Sequence, residues 1–326
     1  MLFSKSKNLN EKLNSLGVRL WDEDKRVQTN PIDNNFAKIP TGSYALDRAL
    51  GTGGWPGGKI IEIFGADSSG KSTLALHAIA EAQAENKTCV YIDLENTLNK
   101  VWAEKIGVKT DQLYICYPSN GEETFKVINS LVQGNEADLI VVDSVAAIVP
   151  GMELESSLED QSMGLQARLM SKGLRILQSY LINSQTTVIF INQIREQIKQ
   201  SFFPSTTTSG GRALKYAASI RVEVKRLEAI KQQDKTIGFL TKITIIKNKF
   251  NNPLIQLNLR LYFDSGFCKA YELINEALER KLLEKRGTWF YYKDKNIAQG
   301  LSALKKKLFS PEYNEQLQEL KSSLGN

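Results

Sequence analysis

The residues Gly65-Ala66-Asp67-Ser68-Ser69-Gly70-Lys71-Ser72 carry the clearest chemistry in this chain. They fit the pattern G-x-x-x-x-G-K-[ST], and their setting fits it too. An apolar run, Lys59–Phe64, precedes them, and an Ala- and Leu-rich stretch, Thr73–Glu85, follows. A strand, a glycine loop and a helix start is the context in which this pattern works as a phosphate site. Backbone N–H groups of the loop and first helical turn have no intrahelical acceptor and can point at phosphate oxygens. Gly65 and Gly70 allow backbone that a side chain would forbid. Lys71 supplies a point charge for the β and γ phosphates, and the Ser72 hydroxyl can ligate Mg2+. Asp67, Ser68, Ser69 and Thr73 complete the candidate nucleotide contacts.

Three further strand ends carry polar groups suited to such a ligand. Leu139–Val142 ends in Asp143, which in a nucleotide-binding sheet can orient Mg2+ or its waters. Tyr91-Ile92-Asp93-Leu94-Glu95 ends in carboxylates that alternate with apolar residues, so both point to one face. A carboxylate held near a γ-phosphate could take a proton from attacking water. Ile189–Ile191 runs into Asn192-Gln193, where an amide could hydrogen-bond a γ-phosphate and feel its loss. Lys247 and Lys249, two residues apart on a strand pattern, face the same way and repel unless an anion sits between them.

The elements that must hold these groups read as an α/β core. Strands are predicted at Lys59–Phe64, Thr88–Leu94, Leu113–Tyr117, Leu139–Val142 and Thr187–Ile191. Helices are predicted at Thr73–Glu85, Lys100–Ile106, Glu122–Gln133 and Met163–Asn183. Apolar strands alternating with helices imply a mostly parallel sheet covered on both faces. Ser219–Lys225, Leu240–Ile246 and Ile255–Phe263 alternate more clearly and are closely connected, which predicts antiparallel extension at one edge. Residues 1–36 read as an appendage in which Leu9, Leu13 and Leu16 recur at helical spacing. Residues 37–268 form the core, and residues 269–326 a small α+β lobe with a helix at Tyr271–Glu284 and a hairpin at Trp289–Lys295.

Composition narrows the function classes. The chain has 326 residues, enough for a large domain plus a smaller one. Its one histidine, His77, removes most Ser-His, Cys-His and His-metal chemistries. Three scattered cysteines fit neither a disulfide framework nor a zinc pattern and point to a reducing, cytoplasmic setting. No apolar run reaches membrane-spanning length, and no basic start followed by an apolar block marks a secretory signal. Residues 195–260 hold 13 Lys plus Arg against 4 Asp plus Glu, a surplus larger than the +6 of the whole chain. Such a field favours a polyanion. Two long loops, Pro150 to Ser162 and Arg195 to Gly211, follow core strands. Hydroxyls, glycine amides and aromatics in the second suit a nucleic-acid backbone and its bases; the acids in the first argue mildly against DNA there.

The chain resembles the RecA family of bacterial DNA recombinases over nearly its whole length. Beyond the phosphate loop, the resemblance is carried by Ile39-Pro40-Thr41-Gly42-Ser43, Leu50-Gly51-Thr52-Gly53-Gly54 and Val141-Val142-Asp143-Ser144-Val145-Ala146-Ala147. Phe190-Ile191-Asn192-Gln193-Ile194-Arg195, Thr206-Thr207-Thr208 with Gly210-Gly211-Arg212-Ala213-Leu214-Lys215, and Lys247-Asn248-Lys249 carry it further. It implies a RecA-like phosphate-loop core, and a homo-oligomeric helical filament on single-stranded DNA that also engages double-stranded DNA. ATP with Mg2+ is held between neighbouring subunits, and a self-cleaving repressor is a further implied partner. By the same resemblance Glu95 is the base that activates water and Gln193 senses the γ-phosphate. Lys247 and Lys249 reach ATP held by the adjacent subunit, and Trp102 takes the place of a Tyr that stacks on adenine. Met163, Arg168, Arg175, Phe202, Ser209, Gly210, Gly211 and Arg212 lie on or near DNA, and the N-terminal helix packs on the next subunit.

Several positions depart from the family's pattern. Asn99-Lys100 replaces a common Asp-Pro, Asn96 a common His, Ser209 a threonine and Arg212 a common Asn. The sequence stops at Asn326 without an acidic tail, from which weaker self-inhibition of duplex capture is expected. Two other readings compete with a recombinase: a hexameric DNA-unwinding motor on the same core, and a non-catalytic filament scaffold. The intact Lys71, Ser72, Glu95 and Asp143 weigh against the scaffold.

Overall fold

A computed structural model of the chain describes residues 37–155, 164–197 and 205–324. The N-terminal stripe of leucines, Met163 and Phe202 lie outside the described residues. A two-stranded ribbon, Lys38–Ile39 (β1) with Trp55–Pro56 (β2), flanks the helix Tyr44–Leu50. The main sheet is then built from Ile60–Gly65 (β3), Cys89–Asp93 (β4), Leu113–Cys116 (β5), Leu139–Asp143 (β6), Thr187–Gln197 (β7), Ser205–Thr208 (β8), Ile220–Gln232 (β9), Lys235–Asn248 (β10), Gln256–Tyr262 (β11) and Gly266–Phe267 (β12). Their spatial order is β12-β11-β10-β9-β3-β7-β6-β4-β5, with β8 paired to β7. Strands from β9 through β5 in that order are parallel, and β10, β11 and β12 extend the β9 edge antiparallel.

Period-two alternation explains why the sheet is covered on both sides. Ile61, Ile63, Cys89, Tyr91, Leu139, Val141, Ile189 and Ile191 face one core, with the helices Lys71–Ala84 and Lys100–Ile106. Ile60, Val90, Ile92, Ile140, Val142, Val188 and Phe190 face the other, with the helices Gly121–Gln133 and Leu165–Leu181. Burial on both faces is why these strands read as continuous apolar runs. None of the described helices is long and apolar enough to cross a membrane.

The last part of the chain closes its own small core. Glu284–Arg286 (β13), Trp289–Tyr292 (β14) and Lys295–Gln299 (β15) form an antiparallel sheet, packed with the helices Lys269–Glu279, Leu301–Leu308 and Asn314–Leu324 around Leu273, Phe290, Ile297, Leu304 and Leu320. This lobe is fixed to the core at one helix start. Glu272 accepts from Ser43 Oγ at 2.7 Å and from Ala45 N at 3.2 Å, and Arg48 is paired with Glu276.

Several boundaries differ from expectation, each for a local reason. The second loop is not structureless: β7 runs on to Gln197 and β8 returns beside it from Ser205. The first loop opens with a helical turn, Gly151–Glu155. β9 and β10 form a much longer hairpin than their apolar stretches suggested, closed by Gln233 and Asp234 at positive φ. That two-residue turn matches the twist of the strands, and the residues it pairs mix polar side chains with Ala229, Ile230 and Phe239. The first helix of the lobe stops at Glu279 rather than Glu284, because Lys281 takes positive φ and Leu283 turns inward.

Candidate nucleotide and nucleic-acid site

The phosphate loop is shaped by two close approaches. A Cβ on Gly65 would fall 2.1 Å from the Val224 carbonyl oxygen, so β9 can lie against the loop only if residue 65 is glycine. Gly70 caps the helix Lys71–Ala84 at φ +103°, left-handed backbone that glycine adopts without strain. That helix start has no side-chain cap and no acid in its first turn, which leaves its N–H groups and dipole for an anion. Lys71 Nζ donates to the Ala66 carbonyl at 2.8 Å across the loop. Burial lowers the Lys71 pKa, and Asp67, Asp143 and Glu95 pull it back.

Beside the loop, the ends of neighbouring strands converge. Asp143 Oδ2 accepts from Ser72 Oγ and from Tyr91 OH, each at 2.7 Å. Burial raises the Asp143 pKa, and those two hydrogen bonds oppose the rise. Burial also raises the Tyr91 pKa, with the Asp143 charge adding to it. A serine hydroxyl and a carboxylate are hard oxygen donors of the kind Mg2+ prefers, with phosphate and water completing its shell. No cluster of three His, Cys, Asp or Glu among the described residues could hold a metal by itself.

The two carboxylates at the end of β4, Asp93 within it and Glu95 beyond it, separate. Asp93 is buried and accepts from Thr97 N at 3.2 Å and Leu98 N at 3.0 Å, so it shapes the chain. Glu95 is exposed and accepts from Ser144 Oγ and, at 3.3 Å, from Gln193 Nε2. Next to the phosphate loop a cleft is lined by Ser68–Thr73, Trp102, Phe239, Thr241, Leu261 and Phe263. Trp102 is positioned by its indole N–H, 3.4 Å from Thr73 Oγ1. Asn99 spends its carbonyl on the Trp102 N–H at 2.9 Å, capping the helix Lys100–Ile106.

β7 carries the site toward the basic side of the molecule. After β8, Ser209 N donates back to the Gln193 carbonyl at 3.4 Å, and Gly210 and Gly211 follow at positive φ. A Cβ on Gly211 would sit 3.3 Å from that of Ala167, so this turn lies against the start of the helix Leu165–Leu181. Arg168 and Arg175 are exposed on one face of that helix, and Arg212 is exposed beside it. The Ser209 side chain is buried, so this turn offers backbone rather than hydroxyl to its surroundings.

Lys247 and Lys249 do not share one strand face. A bulge precedes Lys247, β10 ends at Asn248, and Lys247 Nζ donates to the Lys215 and Tyr216 carbonyls, each at 3.0 Å. Lys249 lines a separate hollow with Lys59, Gln178 and Ser219. Burial lowers the Lys247 pKa, and the Lys249 charge lowers it further.

Four participants were not anticipated. Lys172 is exposed between Arg168 and Arg175 at helical spacing, a signal visible in the sequence. Tyr91 stands two residues before Asp93, and Ser144 directly follows Asp143. Glu62, whose partner lies far along the chain, gave no local signal.

Known proteins resemble this chain over most of its length. The RecA N-terminal domain model matches residues 25–268, and the RecA C-terminal domain model matches residues 271–324. The chain is 46% identical over 285 residues to Protein RecA of Fusobacterium nucleatum, covering 87% of this chain and 75% of that protein. It is 45% identical over 294 residues to Protein RecA of Malacoplasma penetrans, covering 90% and 88%. Protein RecA of Lactobacillus delbrueckii subsp. bulgaricus is 43% identical over 288 residues, covering 88% and 87%.

Proposed function

The chain belongs to the RecA family, and from that premise we propose how its own residues couple ATP to DNA. It is a DNA-dependent ATPase of homologous recombination and DNA repair, catalysing homologous pairing and strand exchange. In the reading proposed here the loop Gly65–Ser72, with Thr73, holds the phosphates, and Trp102 presents an aromatic face to the base. Ser72 and Asp143 would hold Mg2+, which when bound would neutralise phosphate charge. Glu95 takes the proton from attacking water, with Ser144 orienting its carboxylate. Gln193 donates to the γ-phosphate. Lys247 and Lys249 serve the nucleotide of an adjacent subunit, and Arg168, Lys172, Arg175, Gly210, Gly211 and Arg212 form the DNA face. Duplex as well as single-stranded DNA, and a self-cleaving repressor that reads the filament, are the partners in this reading. Residues 37–268 act as the motor core, and residues 1–36 as the subunit contact.

One observation carries the reading. Gln193 touches the Glu95 carboxylate through its side chain and the Ser209 N–H through its carbonyl. A change of phosphate at one is therefore a change of position at the other. ATP then favours one of two arrangements by binding it better, and DNA affinity follows. Contacts to DNA are mainly to backbone, tolerant of sequence and steeply dependent on salt. Electron microscopy with single-stranded DNA and a slowly hydrolysed ATP analogue tests this, together with a strand-exchange assay. Extended filaments and exchange are expected; equal DNA binding with and without nucleotide, and no polymer, would refute it.

A further inference from the structure

Glu62 touches neither the phosphate loop nor the exposed basic residues, but its contacts lead to the strand that carries Gln193. It is fully buried in β3, in register with Phe190 of β7 and Arg221 of β9. Arg221 Nε donates to its Oε2 at 2.5 Å, and the guanidinium lies 4.5 Å over the Phe64 ring. A buried ion pair adds little stability over two apolar side chains of similar size, so stability alone gives no reason for a carboxylate here. Its other oxygen does. Oε1 accepts from Asn192 Nδ2 at 2.9 Å.

The same amide nitrogen donates to the Ser209 carbonyl at 3.1 Å, and Asn192 Oδ1 accepts from the Gln193 N–H at 2.9 Å. A carboxylate can only accept, so it dictates which end of the Asn192 amide is NH2. Turned over, the amide would set oxygen against oxygen at Glu62 and at Ser209, and N–H against N–H at Gln193. Glu62, Asn192, Ser209 and Arg221 are buried, where an unpaired polar group is expensive and one orientation wins.

We propose that Glu62 is a positioning residue for nucleotide-coupled DNA binding. Held by Arg221, it locks the Asn192 amide in the orientation that ties the Gln193 backbone to the Ser209–Gly211 turn. The two then move as one body. This deepens, and rests on, the reading of Gln193 as the γ-phosphate sensor.

The test is the ratio of single-stranded DNA dissociation constants with ADP and with a slowly hydrolysed ATP analogue, measured by fluorescence anisotropy. Glu62→Gln offers one acceptor oxygen to two donors, and the ratio is expected to fall about tenfold, the effect of one buried hydrogen bond. A paired Glu62→Leu, Arg221→Met variant removes both charges together, preserves the fold and still leaves Asn192 without its acceptor. It should show the same fall. A merely structural role would lower the melting temperature and leave the ratio at its wild-type value. An unchanged ratio in either folded variant overturns the proposal. A wild-type protein that does not distinguish the two nucleotides overturns the sensor reading instead, which is a different result from a wild-type ratio that survives both variants.

Discussion

The Gln193 side-chain amide donates to the Glu95 carboxylate at 3.3 Å although their strands, β7 and β4, are not neighbours in the sheet. β6 lies between them, and Ser144 at its end also donates to Glu95. Three successive strand ends therefore meet on one carboxylate. Ligands of open α/β sheets bind outside the carboxyl ends of the strands, and here those ends carry the base, its orienting hydroxyl and the sensor together.

Glu95→Gln separates chemistry from assembly. It keeps the shape and a hydrogen-bonding oxygen but cannot take a proton. ATP turnover should fall by about 10²- to 10⁴-fold, the range for loss of a general base, while filaments on single-stranded DNA still form. Steady-state phosphate release and electron microscopy on the same sample check both halves. Normal turnover would remove Glu95 from the role.

Tyr91→Phe probes the candidate metal site from behind. Asp143 Oδ2 is shared between Ser72 and Tyr91 at equal distances, so the phenol fixes the carboxylate without facing the ligand. Loss of such a supporting group commonly weakens a metal site by 10- to 100-fold, and about a tenfold rise in the Mg2+ needed for half-maximal ATPase is expected. Without that hydrogen bond the raised Asp143 pKa rises further, so the acid limb of the pH–rate profile should move to higher pH. A Mg2+ titration at several pH values reads both effects.

Whether Lys247 and Lys249 serve their own nucleotide or a neighbour's is decided by mixing. Lys71→Ala and Lys247→Ala, Lys249→Ala proteins should each be inactive alone. In a head-to-tail polymer each site would take its loop from one copy and its lysines from the next. With random assembly about a quarter of the sites in an equimolar mixture regain both, since one copy in two supplies each half. Recovery to that level in an ATPase assay supports service in trans; no recovery assigns the lysines to their own subunit.

Legibility followed the range of the forces involved. The phosphate loop, the parallel strands and the acids at their ends are local patterns, because a doubly buried strand is an apolar run and its end is a polar break. The β7–β8 hairpin left no such pattern, for the residues it pairs, Ile194–Gln197 with Ser205–Thr208, are nearly all polar. Lys247 and Lys249 looked like one face because a count of two assumes a strand running through both, whereas β10 ends at Asn248. Glu62 lies inside the predicted strand Lys59–Phe64 with no local sign of a role. Its meaning depends on Asn192 and Arg221, which reach it only when β7 and β9 close on either side of β3.

The junction between core and small lobe makes stability depend on pH through Asp47. Its carboxylate accepts from the Thr41 N–H at 2.8 Å, and burial pushes its pKa up from 3.8 to about 7. Hydrogen bonds from Thr41 and the charge of Lys269 pull the other way, and Glu272 adds to the rise. Between 3.8 and about 7 the folded chain holds a proton that the unfolded chain has released. Stability contributed by this group is therefore whole below that window and is lost as pH rises through it. A shift of this size corresponds to at most about 4 kcal/mol. Asp47→Asn keeps an acceptor for Thr41 and never ionises. It should match the wild type near pH 4 and exceed it by about 2–4 kcal/mol at pH 8. His77, whose pKa burial lowers to about 4, gains stability as pH rises from that value toward 6.5. It is common to both proteins and cancels in the difference. Urea denaturation of the pair at pH 4.5, 6 and 8 measures that difference, and a gap that stays constant with pH would show that Asp47 is ionised in the folded protein throughout.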